Sequence, residues 1–183
     1  MRSKLINTPN NKFIKVYYDL FSFVERQSIH EYVTTLSYNS YGGDVGGSTD
    51  QFFSLLEKND VAYTGFFDTE GYKALDKEFN LSERYVNQYR VNLSPPFEKN
   101  NIHTDSCALT LLYYCNMDWK IEYSGHTIFM DDHIEEPIYT SIYTPGKLIV
   151  FDGNIPHMIL SPISSLAGLR KTFVIQYGEK VEG

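Results

Sequence analysis

Residues 145–157 read Pro145-Gly146-Lys147-Leu148-Ile149-Val150-Phe151-Asp152-Gly153-Asn154-Ile155-Pro156-His157. A Pro-Gly turn opens a short, continuous apolar run over Lys147–Phe151. An Asp-Gly-Asn turn closes it, and a histidine follows. An apolar run between turn signals predicts a strand. His157 then stands at the start of whatever comes next.

The same texture extends in both directions. Short β runs are predicted at Tyr85–Leu93, Ala108–Cys115, His126–Met130, Ile138–Tyr143, Met158–Leu160 and Lys171–Tyr177. The turns between them are Ser94-Pro95-Pro96, Asn116-Met117-Asp118, Ser124-Gly125 and Ala167-Gly168. Many short strands so spaced predict a mainly β, α+β architecture: a jelly-roll, cupin-like double sheet with flanking helices.

The first half is mixed. Phe13–Tyr18 predicts a strand. Ser22–Leu36 predicts a helix with Phe23, Ile29, Val33 and Leu36 on one face, Ser22 as N-cap and Glu25 completing a capping box. Ser48 or Thr49 is expected to cap a second helix running to about Lys58, with Phe52, Phe53, Leu55 and Leu56 buried. The Gly-rich stretch Gly42–Gly47 lacks the Gly-Lys-Ser/Thr ending of a phosphate loop. It reads as a loop, with an active-site lid as its functional alternative. The expectation is one domain over 1–183, with helical or mixed support over 1–84 and a β core over 85–178.

Composition sets outer bounds. The chain has 183 residues, 42% hydrophobic and 21% charged, which suits a soluble globular protein. A formal charge of −7 and no basic cluster disfavour nucleic-acid partners. No apolar run is long enough to span a membrane, and the first fifteen residues lack a signal-peptide core, so a cytoplasmic location is expected. Cys107 and Cys115 are too few for a disulfide framework and are expected to be reduced and buried.

His103-Thr104-Asp105 precedes the β-rich half. On a strand, residues i and i+2 share a face, so His103 and Asp105 can enter a barrel interior together. If a neighbouring strand brings His157 to them, two imidazoles and one carboxylate meet. That is a donor set suited to Fe(II), with positions left open for other ligands. A His-x-Asp pair also arises by chance, and a histidine after a turn also serves purely structural ends. Arg170, at the start of the last predicted strand, could hold a carboxylate through two parallel hydrogen bonds, or lie on the surface beside Lys171. His126 is expected to face solvent or a substrate rather than a metal. His30 and His133 are read as surface residues.

Taken together these strings resemble the Fe(II)/2-oxoglutarate-dependent dioxygenases, prolyl 4-hydroxylase-like branch. The similarity runs from about Tyr85 to Gly178. It rests on His103-Thr104-Asp105, on 110–119 (Thr-Leu-Leu-Tyr-Tyr-Cys-Asn-Met-Asp-Trp), on Ser124-Gly125-His126-Thr127, on 145–153 leading to Pro156-His157, and on Gly168-Leu169-Arg170-Lys171-Thr172. His126 departs from it, since relatives often carry Glu or Gly there.

The resemblance implies a double-stranded β-helix with Fe(II) on His103, Asp105 and His157. It implies 2-oxoglutarate anchored by Arg170 and Tyr114, dioxygen as co-substrate and ascorbate as reductant. Tyr89 is a further pocket candidate, with a core or sheet-face role as its alternative, and Thr127 and Ile128 are possible pocket walls. The implied reaction is hydroxylation of a substrate carbon, first of all of a prolyl residue in a peptide or protein, with release of succinate and carbon dioxide. A free amino acid or other small molecule is the alternative substrate. A non-catalytic cupin-like binding protein is the alternative of another class.

Overall fold

The computed structural model describes residues 2–41, 51–98 and 100–180. Among these residues, eleven strands form two sheets. The larger has eight strands in the order β1(Arg2–Asn7), β2(Phe13–Tyr18), β9(Leu148–Asp152), β6(Leu109–Tyr114), β11(Arg170–Lys180), β5(Arg84–Ser94), β4(Gln51–Leu56), β3(Asn39–Tyr41). The smaller has β10(His157–Ile159), β7(Thr127–Met130) and β8(Pro137–Ser141), in that order. An isolated antiparallel bridge between His103 and His157 adds a fourth rung beside β10.

From β5 onward the chain alternates between sheets. It visits the large sheet, the His103 rung, the large sheet at β6, the small sheet at β7 and β8, then β9, β10 and β11 on large, small and large. That alternation is the double-stranded β-helix, and the expected fold class holds. Each strand predicted from about Tyr85 onward is present to within a few residues at its ends.

β6 shows how the two sides of the large sheet are used. All six of its residues are buried, as expected for a strand covered on both faces. Leu111 and Tyr113 join the apolar layer beneath the helices with Ile29, Val33, Leu75, Val150 and Phe173. Leu112 and Tyr114 turn the opposite way, into the space between the sheets, with Ile149, Phe151, Phe129 and Val174. The period-2 alternation thus divides one strand between two cores.

Helix α1(Phe23–Thr35) has the predicted capping box: Ser22 Oγ accepts from the Glu25 amide at 3.3 Å, and the Ser22 amide donates to Glu25 Oε2 at 2.6 Å. Ile29 and Val33 are its buried residues, and Leu36 lies at its end against the same core. Phe23, expected on that face, is 62% exposed because it sits at the first helical position, short of the sheet.

The first half mixes helices with four of the eight strands of the large sheet, and one of its elements departs from expectation. The helix expected from Ser48/Thr49 to Lys58 is strand β4, which pairs antiparallel with both β3 and β5. Helix α2(Lys58–Tyr63) begins where that helix was expected to end. A run as short as Phe52–Leu56 carries no decisive period, and the open edge of β5 supplies backbone partners that an isolated helix would not have. Leu55, expected buried, is 63% exposed. Gly42–Gly47 and the caps Ser48 and Thr49 lie outside the described residues.

Candidate metal centre

His103, Asp105 and His157 come together. One ligand atom from each can be chosen so that all lie within 4.8 Å of one another. The assembly is backbone-made. The His103 amide donates to the His157 carbonyl at 3.0 Å, and the His157 amide donates back to His103 at 2.8 Å. The Asp105 amide donates to the Gly153 carbonyl at 2.7 Å, and the Gly153 amide donates to Ala108 at 3.2 Å. The Asp152-Gly153 turn therefore clamps the segment that carries Asp105. A Cβ on Gly153 would lie 2.4 Å from the Cys107 carbonyl oxygen and 2.6 Å from its Sγ, which is why glycine stands there. Only His103 of the first motif is paired as a strand residue; Asp105 is placed by this turn instead.

The side chains are set for ligation. His103 Nδ1 lies 3.1 Å from the Asn101 carbonyl, and His157 Nδ1 lies 2.9 Å from the Ile155 carbonyl. A carbonyl only accepts, so each Nδ1 carries the proton and each Nε2 keeps its lone pair. Burial pushes the His157 imidazole below the usual histidine range, the Asp105 carboxylate opposes that shift, and the His103 ring adds to it. The result favours the neutral, ligating form. Asp105 Oδ2 accepts from the Thr110 hydroxyl at 2.5 Å and stands 3.9 Å from His157 Nε2. Phe129 and Phe151 close over His157 with ring centroids 5.9 and 5.0 Å away.

Farther along the same inter-sheet space lies Arg170, fully buried. Its Nε donates to the Gly125 carbonyl at 2.7 Å, and its terminal nitrogens donate to Thr172 Oγ1 at 3.4 Å and Thr127 Oγ1 at 3.2 Å. Gly125 has φ +77°, a left-handed conformation suited to glycine. The guanidinium lies over the rings of Tyr114 and Tyr143, 5.5 and 5.3 Å from their centroids. These bonds and the nearby Tyr114 hydroxyl occupy part of its five N–H groups, and Arg170 makes no ion pair among the described residues. Burial lowers its pKa, and the two tyrosines partly offset this. The surface alternative for Arg170 is thereby excluded. A buried guanidinium without a carboxylate is costly, and an anionic ligand would complete it.

Tyr114 belongs to this cluster. Its hydroxyl is 3.0 Å from Thr127 Oγ1 and 3.2 Å from the Ser141 carbonyl. Thr127 faces inward and Ile128, next on the strand, does not. Tyr89 does not join the site. It is buried with Val91 in the layer beneath the helices, against Phe67 at 6.0 Å. Its neighbour Arg90, on the alternate face of β5, lines a cavity that includes His103. Sequence reasoning missed Arg90, Thr172 and Tyr143; for the first two, period-2 alternation from Val91 and from Arg170 was the available signal.

His126 is outside the ligand trio and half-buried, and its Nδ1 accepts from the Tyr143 amide at 3.2 Å. His30 is half-buried, with Nδ1 3.1 Å from the Cys115 carbonyl, correcting its reading as a surface residue; His133 is exposed. Both cysteines are free, Cys115 buried and Cys107 half-buried.

No family model matches the sequence, and no curated protein does. Solved structures do. The chain is similar to an oxidoreductase of the 2OG-Fe(II) oxygenase family from Burkholderia pseudomallei, at 12% identity and TM-score 0.67 over 90% of this chain and 84% of that one. It is similar to a Trichoplax adhaerens prolyl hydroxylase in complex with a peptide fragment of the hypoxia inducible factor oxygen degradation domain, at 11% identity and TM-score 0.65 over 90% and 83%. It is similar to a Pseudomonas putida prolyl-4-hydroxylase, at 14% identity and TM-score 0.63 over 91% and 92%. The fold is thus the double-stranded β-helix of these oxygenases.

Proposed function

We propose that the protein is an Fe(II)- and 2-oxoglutarate-dependent dioxygenase that hydroxylates a carbon of its substrate and releases succinate and carbon dioxide. The observation that carries this reading is the pairing of two sites in one inter-sheet space. One is a two-histidine, one-carboxylate trio with both Nε2 atoms available; the other is a fully buried guanidinium that makes no ion pair among the described residues. A metal-binding protein has no need of the second.

In this reading His103, Asp105 and His157 would hold the iron and leave positions open. With 2-oxoglutarate and dioxygen, bound iron supplies the oxidising power that breaks a C–H bond. The chain does the rest. Thr110 holds the Asp105 carboxylate, and the Asn101 and Ile155 carbonyls orient the imidazoles. Arg170 receives the distal carboxylate of 2-oxoglutarate, with Tyr114 beside it. Tyr143, stacked on Tyr114 at 4.3 Å, and Trp119 keep water from that end. Residues 1–183 would act as one domain, since the large sheet runs unbroken through both halves.

For the substrate, the two prolyl hydroxylases among the similar structures support a prolyl residue, and the complex formed by one of them supports a peptide. A free amino acid or other small molecule is the second reading. Among the described residues no helix is long and apolar enough to cross a membrane, and a cytoplasmic site of action is part of this proposal. The test is succinate release with Fe(II), 2-oxoglutarate, ascorbate and candidate peptides and amino acids. Turnover that is lost in His103→Ala supports the proposal. Binding of 2-oxoglutarate that survives His103→Ala, with no turnover of any candidate by the unaltered chain, would instead make this a cupin-like binding protein.

A further inference from the structure

Arg90 is a cation beside the trio that the reading above does not use. On β5, Tyr89 and Val91 are buried beneath the helices, which turns Arg90 and Asn92 into the space between the sheets. Arg90 lies directly across from Val174 of β11, and Val174 across from Leu112 of β6. Both of those apolar side chains belong to the inter-sheet core. Arg90 and His103 line one small cavity, of about 30 Å³, which has room for the end of a ligand rather than a whole one.

Among the described residues nothing neutralises this guanidinium. Its Nε is buried without a hydrogen-bond partner. It makes no ion pair, not even with Glu98, which lines the same cavity. The Phe53 ring, its centroid 5.8 Å away, holds it without cancelling its charge. That charge is felt at both Asp105 and His157.

Strand register says where along the site it stands. Thr110, Gln176 and Gln88 form one cross-strand row, Leu112, Val174 and Arg90 the next, and Tyr114, Thr172 and Asn92 the third. Successive rows on one face are about 7 Å apart. The first row belongs to the metal centre, since Thr110 holds Asp105. The third belongs to the Arg170 end, since Thr172 accepts from Arg170 and the Tyr114 ring lies beside it. Arg90 stands in the row between them.

A free cation in that row is unfavourable twice. It is desolvated without a partner, and it repels a divalent metal. Pairing with Asp105 would remove the first cost, but Asp105 Oδ2 accepts from Thr110 and the two residues form no ion pair. A ligand carboxylate between Arg90 and the metal removes both costs. 2-Oxoglutarate has one to offer. With its distal carboxylate on Arg170, its other carboxylate lies beside the 2-oxo group at the opposite end of a five-carbon chain, a length close to the spacing of one row.

Resting on the dioxygenase reading, we propose that Arg90 pairs with the carboxylate at the 2-oxo end of 2-oxoglutarate, and that this pairing makes metal and co-substrate binding reinforce each other.

The experiment is a pair of calorimetric titrations on the full chain: Ni(II) into the metal-free protein without 2-oxoglutarate, and 2-oxoglutarate into the Ni(II)-loaded protein, where no turnover occurs. Arg90→Met is expected to weaken 2-oxoglutarate binding by about one to two orders of magnitude. The same variant is expected to bind Ni(II) at least as tightly as the unaltered chain, because a repelling charge is gone. Arg90→Lys, which keeps the charge, is expected to recover part of the 2-oxoglutarate affinity and to bind Ni(II) as the unaltered chain does. Near-ultraviolet circular dichroism checks that each variant is folded. Opposite responses of the two affinities are what a merely structural arginine would not produce, since its loss would weaken both. Weaker Ni(II) binding by Arg90→Met, or unchanged 2-oxoglutarate affinity, would overturn the proposal. In the second case, loss of 2-oxoglutarate affinity in Arg170→Ala would leave the dioxygenase reading standing. An unaltered, Ni(II)-loaded chain that binds no 2-oxoglutarate would strike that reading itself, and the role of Arg90 with it.

Discussion

His103 and His157 exchange both of their backbone hydrogen bonds, at 3.0 and 2.8 Å, and their imidazole centroids stand 4.4 Å apart. The rung that joins two distant parts of the chain is therefore also the rung that aligns the candidate ligands. Ligand placement here is a matter of strand register, and a one-residue slip would turn a histidine to the other face.

The clamp behind Asp105 predicts the effect of Gly153→Ala. The new Cβ meets Cys107 backbone at 2.4 Å, so the turn must shift. A loss of about 1–3 kcal/mol in folding stability is expected, together with weaker metal binding, because the Gly153 carbonyl holds the Asp105 amide. Thermal unfolding of the metal-free protein and a divalent-metal titration read the two effects. Unchanged values for both would mean that the turn relaxes freely.

Thr110→Val keeps the shape of the side chain and removes the hydroxyl that Asp105 Oδ2 accepts from. Partners of this kind around a metal ligand are worth about 10–100-fold in affinity. Metal affinity of the variant is expected to fall within that range, with only modest change in stability. Calorimetric titration with Fe(II) under anaerobic conditions or with Ni(II) measures it, and equal affinities would assign Thr110 to packing alone.

Arg170→Ala removes a fully buried guanidinium whose partners among the described residues include two threonines, a carbonyl and the rings of Tyr114 and Tyr143, but no carboxylate. If this group pairs with the distal carboxylate of 2-oxoglutarate, about 2–5 kcal/mol is lost, and affinity falls by one to three orders of magnitude. Equilibrium binding of 2-oxoglutarate checks this. Unchanged affinity would place the anchor elsewhere, with Lys171 the first alternative.

Lys147 gives a pH prediction. It is buried, its ammonium donates to the Ile142 carbonyl, and burial pushes its pKa down from 10.5 to about 8. Between these two values the unfolded chain holds a proton that the folded chain has released. Stability contributed by this group therefore rises with pH across that window and is lost as pH falls through 8. The stability of the unaltered protein relative to Lys147→Met is expected to increase from pH 8 to about 10.5. Denaturant unfolding of both at matched pH tests it, and a pH-independent difference would contradict the assignment.

Much of this was legible in the residues. The strands from β5 to β11 follow from apolar runs and turn signals, and the cap of α1 from Ser22 and Glu25, because these depend on neighbours a few positions away. β4 was not legible: Phe52–Leu56 is too short to show a period, and what made it a strand was the free edge of β5. Which of its two readings Tyr89 takes was not legible for a related reason. A strand states that Tyr89 and Arg90 face opposite ways without stating which way is inward, and the helices packed on one side of the sheet decided it.

By itself, then, the sequence determined the alternation, the turns and the identities of His103, Asp105, His157 and Arg170, since these are local properties of side chains and short backbone segments. Only the tertiary structure decided that His103 meets His157, that Gly153 sets Asp105, and that Arg90 rather than Tyr89 looks into the site. Each of those depends on the register between segments far apart in the chain, which is chosen by burial and backbone hydrogen bonding of the whole sheet.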